Sequence, residues 1–213
     1  PSELWRKTVL QVFNGDRELA EYFQKAAGYS LLGDNKEQVM FICYGAGANG
    51  KSVLLETIRS VLGTYGQNIP VNALMNVKSS SGNANPEIAR LRNIRFALAS
   101  ETEKGQRWSA NRIKLLTGGD TIATRALYKD ITEFKAKATI WVACNHKPEV
   151  DAADKAMWRR MRLIPFARIF THEEQDPDLT KKLQNETDGI LSWMLQGLAM
   201  YRSHGLKPPQ SVI

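Results

Sequence analysis

The sequence predicts an α/β fold with a central parallel sheet, built around a phosphate-binding loop. Three observations predict it. First, Val39 to Ser52 reads VMFICYGAGANGKS: a short apolar, β-rich run, then Gly45, Gly50, Lys51 and Ser52 at every fixed position of G-x-x-x-x-G-K-[ST]. VLLETIRSVLG follows with helical apolar spacing, so the order is strand, glycine-rich loop, helix. Second, further short apolar runs at Asn93–Glu101, Ala138–Cys144 and Leu163–Phe166 read as buried strands, the pattern of a parallel sheet covered on both faces. Third, helical patterns bracket these runs at both ends of the chain.

The loop chemistry follows from its residues. Gly45, Gly47 and Gly50 let the backbone turn tightly, so that N–H groups point at a polyphosphate. The helix beginning near Lys51 adds its positive end. Lys51 reaches the outer phosphates and Ser52 offers a hydroxyl to Mg²⁺. Ala46, Ala48, Asn49 and Val53 complete the run expected to enclose the nucleotide. This predicts binding of NTP–Mg²⁺ and leaves open what the energy serves: a motor, a small-molecule kinase or a nucleotide-gated scaffold.

Composition narrows the field. The chain has 213 residues and 43% apolar content, enough for one sizeable core. There is no 18-residue apolar run and no leader pattern, so the expectation is a soluble, cytoplasmic protein without a membrane partner. Cys43 and Cys144 read as small core residues of a reducing compartment, and no Cys/His spacing suits zinc. Net charge is +7, and residues 90–137 hold eleven Lys or Arg against five Asp or Glu. That local excess points to a polyanionic partner. The abrupt start at Pro1 is expected of a fragment of a longer protein.

In chain order, Ser2 to Phe13 reads as a helix capped by Ser2, with Trp5, Val9, Val12 and Phe13 on one face. Asp16 caps a second helix that buries Leu19, Tyr22, Phe23 and Ala26 and ends near Gly28. This hairpin, residues 1–35, is expected as a small appendage before a core at 36–170 and a helical segment at 171–213. Residues 68–74 are read as a strand, 78–86 as an exposed loop, and 86–91 as a short helix. The strand at 93–101 ends in Glu101-Thr102-Glu103. A carboxylate at the tip of the strand beside the loop would hold Mg²⁺ and orient water, so Glu101 is the candidate, with Glu103 in support. Ser109–Thr117 is a helix. Thr121–Lys129 is one hairpin arm and Phe134 lies in the return, with Arg125, Tyr128 and Lys129 offering two cations and an aromatic to a nucleic acid. Asn145 follows the strand ending at Cys144 and is placed to contact a γ-phosphate or its attacking water. Arg159, Arg160 and Arg162 lie at a helix end entering a strand, in position for an arginine finger. Helices at 176–183 and 187–203 close the chain, the last with Ile190, Leu191, Met194, Leu195, Leu198 and Tyr201 in one stripe.

Taken together, GAGANGKS, SETEKG, IKLLTGGDTIATRALYK, the strand ending at Asn145, and WRRMRLIPF resemble the superfamily 3 helicases, most of all the helicase part of phage and plasmid primase-helicases. The likeness spans nearly the whole chain. It implies an AAA+-type core that hydrolyses ATP with Mg²⁺ at subunit interfaces of a ring, usually a hexamer, moving on single-stranded or forked DNA. It also implies a covalently linked primase or other replication domain outside this segment. By position, Lys51 and Ser52 match the Walker A pair, Glu101 the Walker B position, Asn145 the sensor, Arg160 the finger, and residues 124–129 the channel hairpin. Ser100 and Thr102 flank Glu101 where the family has an Asp-Glu pair, and Tyr128-Lys129 stands where viral relatives carry Lys-His.

Overall fold

The structure is a computed structural model that describes residues 2–75, 86–100, 108–125, 131–148 and 154–212. Two helices open it: α1 (Glu3–Val12), whose cap Ser2 accepts from the Trp5 N–H, and α2 (Arg17–Tyr29), whose cap Asp16 accepts from the Leu19 N–H. Then come β1 (Met40–Tyr44), α3 (Lys51–Val61), β2 (Gly66–Ile69), α4 (Pro86–Ala89) and β3 (Phe96–Ser100). Helix α5 (Ala110–Thr117) precedes the antiparallel hairpin β4 (Thr121–Arg125) and β5 (Ile131–Lys135). Strand β6 (Thr139–Cys144), α6 (Lys155–Trp158), β7 (Met161–Pro165), α7 (Leu179–Gln184) and α8 (Thr187–His204) complete the chain.

The expected α/β class and parallel sheet are present. Five strands run parallel in the order β2-β3-β6-β1-β7. Strand β1 therefore sits between β6 and β7; the connection from the C-terminal end of β1 runs toward the β2 edge, and that from the C-terminal end of its neighbour β6 runs toward the β7 edge. Such a switch point opens a crevice for ligands. Strand β3 does not lie beside β1, contrary to the expectation for the strand leading to Glu101, because β6 is inserted between them. The C-terminal ends are level: Ser100 pairs with Ala143, and Ala143 with Cys43.

Strand alternation divides the core into two layers. Phe41, Cys43, Phe96, Leu98 and Trp141 face α1, α2, α3 and α8. Met40, Ile42, Ala97, Ile140 and Val142 face Ile88, Trp108, Ile113 and Leu116 on the other side. Trp141 anchors the first layer, with ring centroids 4.5 Å from Phe41 and 5.6 Å from Phe23, while its indole N–H donates to Ser30 Oγ at 3.0 Å. The N-terminal hairpin, expected as an appendage, thus puts Trp5, Phe13, Tyr22 and Phe23 into the core of the sheet.

Two other expectations need correction. Residues 68–74 are not one strand: β2 ends at Ile69, and Val71–Ala73 forms a 3₁₀ turn. Pro70 lacks the N–H that would continue the ladder. In α8 the buried face carries Ile190, Trp193, Met194 and Gly197, whereas Leu195 is 52% exposed. Gly197 lies against the Gln24 carbonyl of α2, and a Cβ on Gly28 would run into the α8 backbone. Helices α2 and α8 therefore touch backbone to backbone, which rotates the contact face toward the glycines. Among the described residues, no helix is long and apolar enough to cross a membrane.

Candidate functional site

The site is assembled where β1 gives way to α3. Phe166 donates its N–H to the Tyr44 carbonyl at 2.8 Å, and Gly45 donates to the Cys144 carbonyl at 3.2 Å, so the loop leaves β1 pinned by both neighbouring strands. Gly45 has φ +151° and no room for a side chain, since a Cβ would strike the Phe166 carbonyl. Gly50 has φ +81° and lies against Val12 of α1. Ala48 also adopts a positive φ of 54°, and its carbonyl accepts from the Phe170 N–H at 2.8 Å. Around Gly47 the chain leaves open space, so that glycine answers to whatever approaches from outside.

Helix α3 starts at Lys51 with Gly50 as a cap that offers no side-chain acceptor. The Lys51 N–H donates to Asn49 Oδ1 at 3.3 Å, and the positive end of an eleven-residue helix stands at the loop. Lys51 is only 6% exposed. Its Nζ donates to the Gly45 carbonyl at 2.5 Å, the Ala46 carbonyl at 3.1 Å and Asn49 Oδ1 at 3.0 Å. Burial holds its ammonium below the usual lysine range, against the opposing pull of Cys144 and Cys43. Burial likewise pushes the Cys43 thiol well up, as expected of a core cysteine. Ser52 is exposed on the first turn of α3. Asn145 is exposed one residue past Cys144, beside the start of the loop, and the Lys147 ammonium lies 5.1 Å above the Tyr44 ring.

A cleft of about 450 Å³ adjoins the loop. It is lined by Thr8, Gln11 and Val12 of α1, by Ala48 and Val53, and by Phe170 and Leu179. Its apolar surfaces with a few polar groups suit a flat heterocycle next to a phosphate site. Sequence reasoning found no chemistry in α1, because nothing in residues 2–13 marks a helix that folds back onto a loop almost forty residues later. It also treated Asn49 as one loop residue among several. The structure gives Asn49 partners on two sides, with 3% exposure.

Other candidates are placed differently or lie outside the description. Arg160 is 7% exposed; its Nε donates to Thr117 Oγ1 at 3.2 Å and its Nη1 to the Ala156 carbonyl at 3.1 Å. Its side chain is thus committed to α5 and α6 of its own chain, with burial lowering its pKa. Arg159 is exposed, and Arg162 is half-buried with Nη1 on the Arg159 and Met161 carbonyls. Glu101, Glu103, Tyr128 and Lys129 fall outside the described residues, and of Arg125 only the backbone, paired with Ile131, is described. Among the described residues no group of three or more His, Cys, Asp or Glu is gathered for a metal. Mg²⁺ usually binds through few protein groups together with substrate phosphates, a role that Ser52 at the loop exit fits.

Comparison with known proteins finds relatives and a fold match. The chain is 31% identical, over 95% of its length, to the mimivirus protein "Putative helicase L207/L206" of Acanthamoeba polyphaga mimivirus, covering 23% of that protein. It is 29% identical to "Putative helicase 022R" of Frog virus 3, over 93% of this chain and 22% of that one. It is 26% identical to "Putative primase C962R" of African swine fever virus, over 72% of this chain and 16% of that one. The chain thus spans less than a quarter of the length of these relatives. The fold matches the apo structure of the NrS-1 C-terminal region (residues 305–718) with a TM-score of 0.76 at 17% identity, over 99% of this chain and 49% of that one. The model of DUF5906, described as a family of unknown function, matches residues 43–160, from the end of β1 to the residue before β7, and the chain belongs to that family.

Proposed function

We propose that the chain is the ATP-hydrolysing motor segment of a DNA-replication helicase of the superfamily 3 type, working as a ring on single-stranded DNA within a longer protein. The observation that carries the reading is the phosphate loop: the N-terminus of α3, a buried lysine and a cleft meet at the switch point of a parallel sheet. Kinship with viral proteins named as helicases and primases supports a replication role. The small share of those relatives covered supports further domains, a primase among them, elsewhere in the whole protein.

In this reading Gly45 to Val53 enclose the triphosphate of ATP, and the cleft beside α1 takes the base. Lys51 withdraws charge from the outer phosphates, and Ser52 supplies a ligand to Mg²⁺, which neutralises the phosphate oxygens when bound. Glu101, with Glu103, polarises the attacking water, and Asn145 contacts the γ-phosphate side. A guanidinium from the neighbouring subunit completes the site. Arg159, exposed, is better presented for this than Arg160, which would first have to leave Thr117 and Ala156. Arg125, Tyr128 and Lys129 are the residues assigned to the DNA. Residues 36–170 carry the ATPase, flanked by the helical segments 1–35 and 171–213.

The test is ATP hydrolysis over a protein-concentration series, with and without single-stranded DNA, for wild type, Lys51→Ala and Arg159→Ala. The expected result is specific activity that rises with concentration and with DNA. Lys51→Ala should abolish turnover, and Arg159→Ala should lose turnover while keeping ATP binding. Activity independent of concentration, DNA and Arg159 would instead assign the loop to a self-contained site of the kinase kind.

A further inference from the structure

We propose that Asn49 is a positioning residue of the loop: it parks Lys51 on the loop's own oxygens until a polyphosphate draws the ammonium out, and it ties the loop to the strand exit that borders the cleft. The proposal rests on the nucleotide reading above. Its basis is a two-sided set of hydrogen bonds at a buried amide. On one side Oδ1 accepts from Lys51 Nζ at 3.0 Å and from the Lys51 N–H at 3.3 Å. On the other, Nδ2 donates to the Phe166 carbonyl at 3.2 Å. An amide accepts and donates in fixed directions at once, and at 3% exposure both arms are shielded from bulk solvent.

The Lys51 ammonium has three donors, and the loop supplies three acceptors: Gly45 O, Ala46 O and Asn49 Oδ1. The cation is therefore satisfied without ligand, and an incoming phosphate must exchange these bonds for its own. Two of the acceptors are backbone and present whatever the side chains. Asn49 is the one acceptor that substitution can remove. The other arm has a different effect. The stretch 166–170 holds the loop by the Phe166 N–H on Tyr44, by the Phe166 carbonyl on Asn49 and by the Phe170 N–H on the Ala48 carbonyl. Phe170 also lines the cleft. Through Asn49, the state of Lys51 is thus joined to the wall against which a base would lie.

The two arms give opposite kinetic signatures. Asn49→Ala removes one charge-assisted bond on Lys51, so the ammonium leaves its parked position more readily. Association of a fluorescent ATP analogue should speed up about tenfold, as expected for losing one such bond. Dissociation should rise at least as much, because the Phe166 anchor is lost as well. Asn49→Asp keeps the acceptor, adds charge to it and drops the donor, so association should slow about tenfold. Stopped-flow mixing of the whole chain with the analogue reads both rates, and thermal melting without nucleotide checks that each variant is folded. Asn49→Val, which likewise has neither acceptor nor donor, is expected to follow Asn49→Ala and serves if the alanine variant fails to fold. Association rates that move in the same direction for Asn49→Ala and Asn49→Asp, or that do not move, overturn the proposal while wild type still binds in a Lys51-dependent way. Wild type that binds no analogue overturns the nucleotide reading and this proposal with it.

Discussion

Gly45 has no space for even a methyl group, because the Phe166 carbonyl occupies the position of its missing Cβ. Gly45→Ala is therefore expected to destabilise the chain by about 3 kcal/mol and to displace the loop from β7; an unchanged melting temperature would show that the loop yields instead. The loop motif was fully legible in sequence, because its glycines and lysine obey fixed spacing. What each residue touches was not. Arg160 looked like the best-placed cation until its contacts with Thr117 and Ala156 turned it inward, and no local pattern separates it from the exposed Arg159. Tyrosines give a second residue-level prediction. Burial, joined by a hydrogen bond to Glu37, pushes the Tyr201 hydroxyl up to about 12, and burial also raises Tyr22 and Tyr29. A tyrosine raised in the fold favours the neutral form there. Its contribution is whole below the unfolded value of about 10 and is lost as pH climbs from there through the folded value. The denaturant midpoint should thus fall between about pH 8 and about pH 11, and Tyr201→Phe should remove part of that fall. A midpoint equal at both pH values would show that these hydroxyls ionise without cost.

Among elements, the caps were the most legible part of the chain. Ser2 and Asp16 each accept from a backbone N–H three residues on, as their position before an apolar-periodic run implies, whereas Ser109, read as part of its helix, turns out to be the cap. Asp16→Ala should therefore cost about 1 kcal/mol in a denaturant melt, and a loss near zero would mean that α2 is held by packing alone. The crossing of α2 and α8 was not legible. Hydrophobic spacing selected Leu195 for the buried face, yet the helix turns so that Gly197 meets α2. Apolar periodicity weighs side chains and gives no weight to a residue that contributes closeness by lacking one. Gly197→Ala should push the helices apart and cost about 3 kcal/mol. Leu195→Ala, on the outward face, should cost little, and equal losses for the two would reverse this assignment of faces. Sheet order was hidden for a related reason: each strand's type shows in its own residues, but that β6 separates β3 from β1 depends on crossovers that local sequence does not encode.

For the whole molecule, the first and last helices are walls of one structure. Thr8, Gln11 and Val12 line the cleft beside the loop, and Trp5 packs edge-on against Trp193 at 5.3 Å. Removal of residues 1–35 should therefore abolish nucleotide binding and expose the aromatic layer over the sheet. A monomeric truncated chain that still binds the ATP analogue would make the hairpin dispensable. The same closure has a bearing on how the protein is made. Gln24 donates to the Trp193 carbonyl across a separation of 169 residues, within the α2–α8 crossing. At ribosomal speeds of about 5–20 residues per second, α2 emerges on the order of ten to thirty seconds before its partner exists. Until α8 has left the tunnel, the nascent chain carries an unmatched aromatic surface, and folding of this layer waits on that helix.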